Sequence, residues 1–279
     1  MTIAAHLPTV PPEQQREIEA WRAEKDRELR GPDSPLGYVG PRTLQPGHHL
    51  LGSGAQTDLR FESPGVPEVA LDFLAQDVRL RLIPALPLVA LNGEPSSEAD
   101  LRPGDRVGVG PLEIRYQGHG PAGAMISIRD QSRPALLAYR GLHYLPVDPR
   151  YRVEATFEPA VPGQTLTLET TQHQQRQLPL RGTLHFTILG QKLSLQGFAL
   201  DRPGDLFVVF RDGSSGQQTY GAGRFLWVKG PIDGKTTVDF NLAWNPLCAY
   251  STGYNCPLAP PANRLRLPIP VGEASYEQH

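Results

Sequence analysis

The chain holds only two cysteines and four lysines in 279 residues. Two cysteines, Cys248 and Cys256, are too few for the disulfide framework of an exported scaffold. Met1 to Pro12 lack the basic start and the apolar run of an export leader, and Pro8, Pro11 and Pro12 would interrupt one. The expected compartment is therefore the cytoplasm. No apolar run has the length of a membrane-spanning helix, so no membrane partner is expected. The net charge of −2 leaves no basic surplus to neutralise a phosphate backbone, which argues against a nucleic-acid partner.

Familiar chemical signatures are missing as well. There is no Gly-x-Ser-x-Gly elbow, phosphate loop or dinucleotide fingerprint. Histidines at 6, 48, 49, 119, 143, 173, 185 and 279 include no helical i, i+4 pair, and the two cysteines have seven residues between them. Neither a metal nor a cofactor is expected.

Glycine (28) and proline (29) are plentiful. They punctuate short apolar runs, the pattern of many strands and turns. The segment from Pro12 to Arg30 reads as a helix, opened by proline and stopped at Gly31-Pro32. Eleven of the eighteen residues from Glu13 to Arg30 are charged, and the apolar stripe is thin (Ile18, Trp21, Leu29). Such a helix is peripheral, anchored by Trp21 across a sheet.

Three regions follow from this pass: a charged helix and connector over 1–35, a small β subdomain over 36–140, and a β-sandwich or barrel over 141–279 with a proline-rich C-terminal wrap. Residues 31–67 read mainly as connector, with one short strand at Leu59 to Glu62. Asn92-Gly93 predicts a hairpin turn. In the third region, strand-like runs include Thr183 to Leu189, Leu206 to Arg211, Thr219 to Val228 and Thr236 to Leu242, and Leu265, Leu267 and Ile269 alternate as an edge strand would. Short loops between consecutive runs favour antiparallel pairing, and no βαβ alternation appears. The fold class is mainly β, an antiparallel sandwich or barrel with a small N-terminal β subdomain and one peripheral N-terminal helix.

The densest polar set in apolar surroundings lies near the C-terminal strands. Tyr220, Arg224 and Leu226 share one face of a strand, with Phe225 and Trp227 on the other. Asp239 and Asn241 share a face of the next strand. If the two strands are neighbours, Arg224 reaches Asp239, since a guanidinium set into a sheet needs a carboxylate partner. One reading of that pair is a buried bridge that fixes register; the other is a ligand contact. Cys248 and Cys256 flank a short turn and read as small core residues, a redox-labile pair or half a metal site.

These residues belong to a recognisable series. Tyr220-Gly221-Ala222-Gly223-Arg224-Phe225-Leu226, Asp239-Phe240-Asn241, Asn245-Pro246, Cys248-Ala249-Tyr250, Cys256-Pro257-Leu258, Pro260-Pro261, Asn263 and Gly272-Glu273 resemble an uncharacterised prokaryotic family, domain of unknown function 1684. Trp21-Arg22 with Lys25-Asp26, Ser34-Pro35-Leu36, Gly141-Leu142, Tyr144, Pro146, Asp148-Pro149, Tyr151-Arg152 and Phe210-Arg211-Asp212 agree with the same pattern. Trp244 and Leu247 stand where that pattern has Tyr and Pro. The resemblance implies a shared fold and carries no established activity.

Three functional readings stay open. The first is a small-molecule binding module, with Arg224 on an anionic or carbonyl group, Asn241 and Asn245 orienting it beside Asp239, and Tyr220, Trp244 and Tyr250 as walls. The second is a hydrolase-like enzyme using Asp239 or Asp212 with Arg224. The third is a non-catalytic scaffold.

Overall fold

The computed structural model describes residues 9–276. The leader reading on the first residues, His6 and His279 fall outside that range. The chain divides into two compact units: 29–139 with 251–254, and 9–28 with 140–250 and 255–276.

The unit around 29–139 contains β1 (Tyr38–Leu44), β2 (Gly47–Gly52), β3 (Leu59–Arg60), β4 (Leu71–Gln76), β5 (Arg79–Pro84), β6 (Ala90–Leu91), β7 (Glu94–Pro95), β8 (Ala99–Leu101), β9 (Arg106–Val109), β10 (Leu112–Gly120) and β11 (Gly123–Asp130). They form two sheets, ordered β1-β11-β10-β9-β6-β7 and β3-β2-β4-β5-β8. Alternation sets the inner faces: Leu71, Phe73 and Ala75 from one sheet, Leu112, Ile114 and Tyr116 from the other, all in one buried core. Asn92 and Gly93 take positive φ and turn β6 into β7, as the dipeptide predicts.

Strands β1 and β2 correct the sequence reading, which treated residues 31–67 mainly as connector. Pro41 lies within β1 and masks it. A proline is tolerated there because β1 is an edge strand, paired only with β11.

The other unit opens with helix α1 (Pro12–Arg30) and continues through β12 (Arg152–Pro159), β13 (Thr165–Glu169), β14 (Gln175–Ile188), β15 (Gln191–Phe198), β16 (Leu206–Phe210), β17 (Arg224–Val228) and β18 (Lys235–Asp239). The sheet order is β17-β16-β15-β14-β12-β18, with β13 paired to β14, and every pair is antiparallel. The sheet curls into a half-barrel until its end strands, β17 and β18, approach each other. Phe186, Phe210 and Phe240 form its aromatic centre, with ring centroids 5.4 to 5.7 Å apart. Ile269 and Val271 from the tail join this core with no more than 1% exposure. The proline-rich tail therefore fills the open side of the curl. Leu265 and Leu267 make no edge strand, only one bridge between Arg211 and Arg264. Pro268 and Pro270 supply no N–H for a continued ladder.

Helix α1 turns Gln14, Ile18 and Trp21 inward at spacings of four and three, and Ile18 is fully buried. Among the described residues no helix is long and apolar enough to cross a membrane.

Candidate functional site

Strand β17 starts at Arg224, five residues later than its sequence suggests. Gly221 and Ala222 form a turn, and Gly223 has φ +104°. A Cβ on Gly223 would lie 2.4 Å from the Phe210 carbonyl oxygen, so only glycine lets the chain enter the strand this close to β16. Tyr220 is thus off the strand, and its hydroxyl instead donates to the Cys248 carbonyl at 3.4 Å.

The expected Arg224–Asp239 pair does not form. Arg224 is fully buried and donates through Nη2 to Asp212 Oδ2 at 2.9 Å and to the Ile269 carbonyl at 2.8 Å, while Nη1 donates to the Val271 carbonyl. Asp212 also accepts from the Ser214 amide (2.7 Å), the Ser214 hydroxyl (2.5 Å) and the Ile269 amide (3.0 Å). Burial pushes the Arg224 pKa down, against the pull of Asp212. The guanidinium and carboxylate together staple the tail to the half-barrel.

Asp239 belongs to a different network. β18 pairs with β12 and places Arg152 opposite Asp239. Arg152 Nη1 lies 2.8 Å from Asp239 Oδ2 and 3.1 Å from Glu17 Oε2 of α1. Gln14 Nε2 donates to Asp239 Oδ2 at 3.1 Å, and the Asn241 amide and Nδ2 donate to Oδ1 at 3.0 and 2.8 Å. Asn241 also exchanges hydrogen bonds with the backbone of Asp148.

Asn245 and Tyr250 converge on Glu273, which the sequence reading did not single out as a site residue. Asn245 donates through its amide (3.1 Å) and Nδ2 (2.7 Å), and the Tyr250 hydroxyl donates at 2.5 Å. Glu273 is 1% exposed, and burial pushes its carboxyl up to about 7 against these three donors.

The remaining site residue, Trp244, points to a cleft. Its backbone pairs with that of Phe225, adding one rung beside β17. Directly paired residues share a sheet face, so Phe225, Trp227 and Trp244 all project to the same side. Trp21 of α1 covers that side, its ring 6.1 Å from that of Trp244. The three tryptophans, all the chain has, line one cleft of about 400 Å³. Lys229 and Lys235 stand exposed at its rim, and Asp239 and Arg152 close its polar end. The Arg202 guanidinium lies 4.8 Å from the Trp227 ring and Lys25 Nζ 5.7 Å from the Trp244 ring. A larger hollow of about 850 Å³ lies on the faces of β12, β14 and β15, but it is broad and open, without an aromatic wall of comparable extent. The tryptophan cleft is better suited to enclosing a ligand. Among the described residues no three His, Cys, Asp or Glu side chains are close enough to hold a metal ion.

A family model described as a protein of unknown function (DUF1684) matches residues 137–274. An uncharacterised protein from Haloarcula marismortui, solved by NMR, is 38% identical over 50% of this chain and 80% of its own, with a TM-score of 0.43. Residues 137–274 belong to the DUF1684 family. No curated protein matches it. Two FHA domains give weaker likenesses. One, solved in complex with the intracellular domain of a partner, is 20% identical over 32% of this chain and 86% of its own, with a TM-score of 0.25. The other, the first FHA domain of a Mycobacterium tuberculosis protein, is 17% identical over 33% and 95%, with a TM-score of 0.23.

The DUF1684 match includes Arg152, Trp227, Lys229, Lys235, Trp244 and Glu273, while Trp21 precedes it. Of the seven residues expected at the site, Asp239 and Trp244 line the cleft. Arg224, Asn241, Asn245 and Tyr250 are held in the buried networks above, and Tyr220 lies beside Cys248. Trp227, Lys229 and Lys235 were missed as site residues. A usable signal existed for the first: tryptophan occurs only three times, and strand alternation sets Trp227 on the face opposite Arg224 and Leu226.

Proposed function

We propose that this DUF1684 protein is a small-molecule binding module whose ligand lies in the cleft between Trp21, Trp227 and Trp244. The observation that carries this reading is the convergence of all three tryptophans on one cleft with two exposed lysines at its rim. Aromatic walls favour a flat or apolar body, and Lys229 and Lys235 favour an anionic group on it. Arg152 is held by Glu17 and Asp239, so it shapes the far wall and leaves the lysines to meet the anion. Both cysteines are free thiols, which suits a cytoplasmic setting.

The test is a thermal-shift and tryptophan-fluorescence screen of aromatic carboxylates, nucleotides and aliphatic acids. Every intrinsic tryptophan faces the cleft, so an occupant should change the emission and raise the transition temperature together. Saturable changes by one anionic aromatic class support the proposal. A panel that moves neither signal, or ligands whose effect persists when Lys229 and Lys235 are both replaced by Glu, counts against it.

A further inference from the structure

Neither cysteine lines the tryptophan cleft. Cys248 sits in the short turn Leu247–Ala249 and is half-buried, while Cys256 is buried. The Cys248 amide donates to Cys256 Sγ at 3.4 Å, which brings the two residues together. The Tyr220 hydroxyl lies 3.9 Å from Cys248 Sγ, and the Cys256 amide donates to Thr171 Oγ1 at 3.1 Å. Hydrogen bonds from Cys256, Tyr220 and Thr171 draw the Cys248 thiol down to about 7, with the Cys256 contribution the largest. The interaction with Cys248, and then burial, push the Cys256 thiol up. The pair therefore has one half-buried cysteine with thiolate character and one buried cysteine that supports it.

We propose that Cys248 and Cys256 are a hydroperoxide-oxidisable pair that closes into a reversible disulfide, with Cys248 reacting first. The Cys248 thiolate attacks one peroxide oxygen, the O–O bond breaks, and hydroxide leaves to give a sulfenic acid. Cys256 then attacks that sulfur. The S–S bond forms, the S–O bond breaks, and the departing hydroxide takes the Cys256 proton as water. Two thiols lose two electrons and the hydroperoxide gains them. Tyr220, next to the glycine turn before β17, acts here as a positioning residue for the Cys248 sulfur.

The experiment treats the full chain with stoichiometric hydrogen peroxide and follows intact mass and mapped peptides. The expected result is loss of the mass of two hydrogen atoms and a peptide linked through Cys248 and Cys256, both reversed by dithiothreitol. Cys256→Ser should stop at a sulfenic acid on Cys248 that dimedone traps, and Cys248→Ser should leave Cys256 unlabelled. Added oxygen on wild-type Cys248 without a cross-link would overturn the proposal. So would an unchanged mass under conditions that oxidise a free cysteine peptide, or dimedone labelling of Cys256 in Cys248→Ser. The wild-type mass needs no variant, so a folding defect in either mutant cannot rescue or defeat the result.

Discussion

Arg224 and Asp212 meet at 2.9 Å with neither side chain exposed to solvent. The arginine lies on β17 and the aspartate two residues past β16, and both also hold the backbone of Ile269. Removing one partner strands the other charge in the core. Asp212→Ala and Arg224→Ala should each lower unfolding free energy by about 3–5 kcal/mol. Replacing both by apolar residues of similar volume should cost less than either single change, because no unpaired charge remains. Denaturant unfolding of the three variants checks the order.

The cleft predicts a charge dependence. If an anion sits between the tryptophans, Lys229→Glu should weaken its binding by about tenfold, or about 1.4 kcal/mol. Raising the salt concentration should weaken the wild type in the same direction. Fluorescence titration of the best ligand from the screen measures both.

Glu273 predicts a pH dependence. Its folded pKa, about 7, lies above the ordinary value of 4.5. Between those pH values the folded state holds a proton that the unfolded chain has released, so stability falls as pH rises. Full stabilisation is present below about pH 4.5 and is lost through about pH 7, a change of about 3 kcal/mol. Subtracting the stability profile of Glu273→Gln, which cannot titrate, should isolate this slope; parallel profiles would refute it.

Cys248 predicts a second titration. Its alkylation by iodoacetamide should rise with a midpoint of about pH 7 in place of the ordinary 9.0. Tyr220→Phe and Cys256→Ala each remove a hydrogen bond to the thiolate, so both should move the midpoint upward, with Cys256→Ala moving it further. Rates measured across pH, with the alkylated peptide identified by mass, check the ranking.

Composition and periodicity determined the mainly β class, the charged helix from Pro12 and the turn at Asn92-Gly93, because these are local preferences of backbone and side chain. Edge strand β1 was illegible: a proline reads as a break until the sheet shows that its missing N–H faces no partner. The residue types of the buried networks were also visible, since a guanidinium, a carboxylate and asparagines among apolar neighbours must find partners. Which partners they found was not. The sheet order puts β12 beside β18, so Asp239 meets Arg152, and the tail crossing the core is held where Arg224 meets Asp212. The cleft is tertiary for the same reason. Trp21, Trp227 and Trp244 are separated by as much as most of the chain, and only the packing of α1 over the outer face of β17 makes them neighbours.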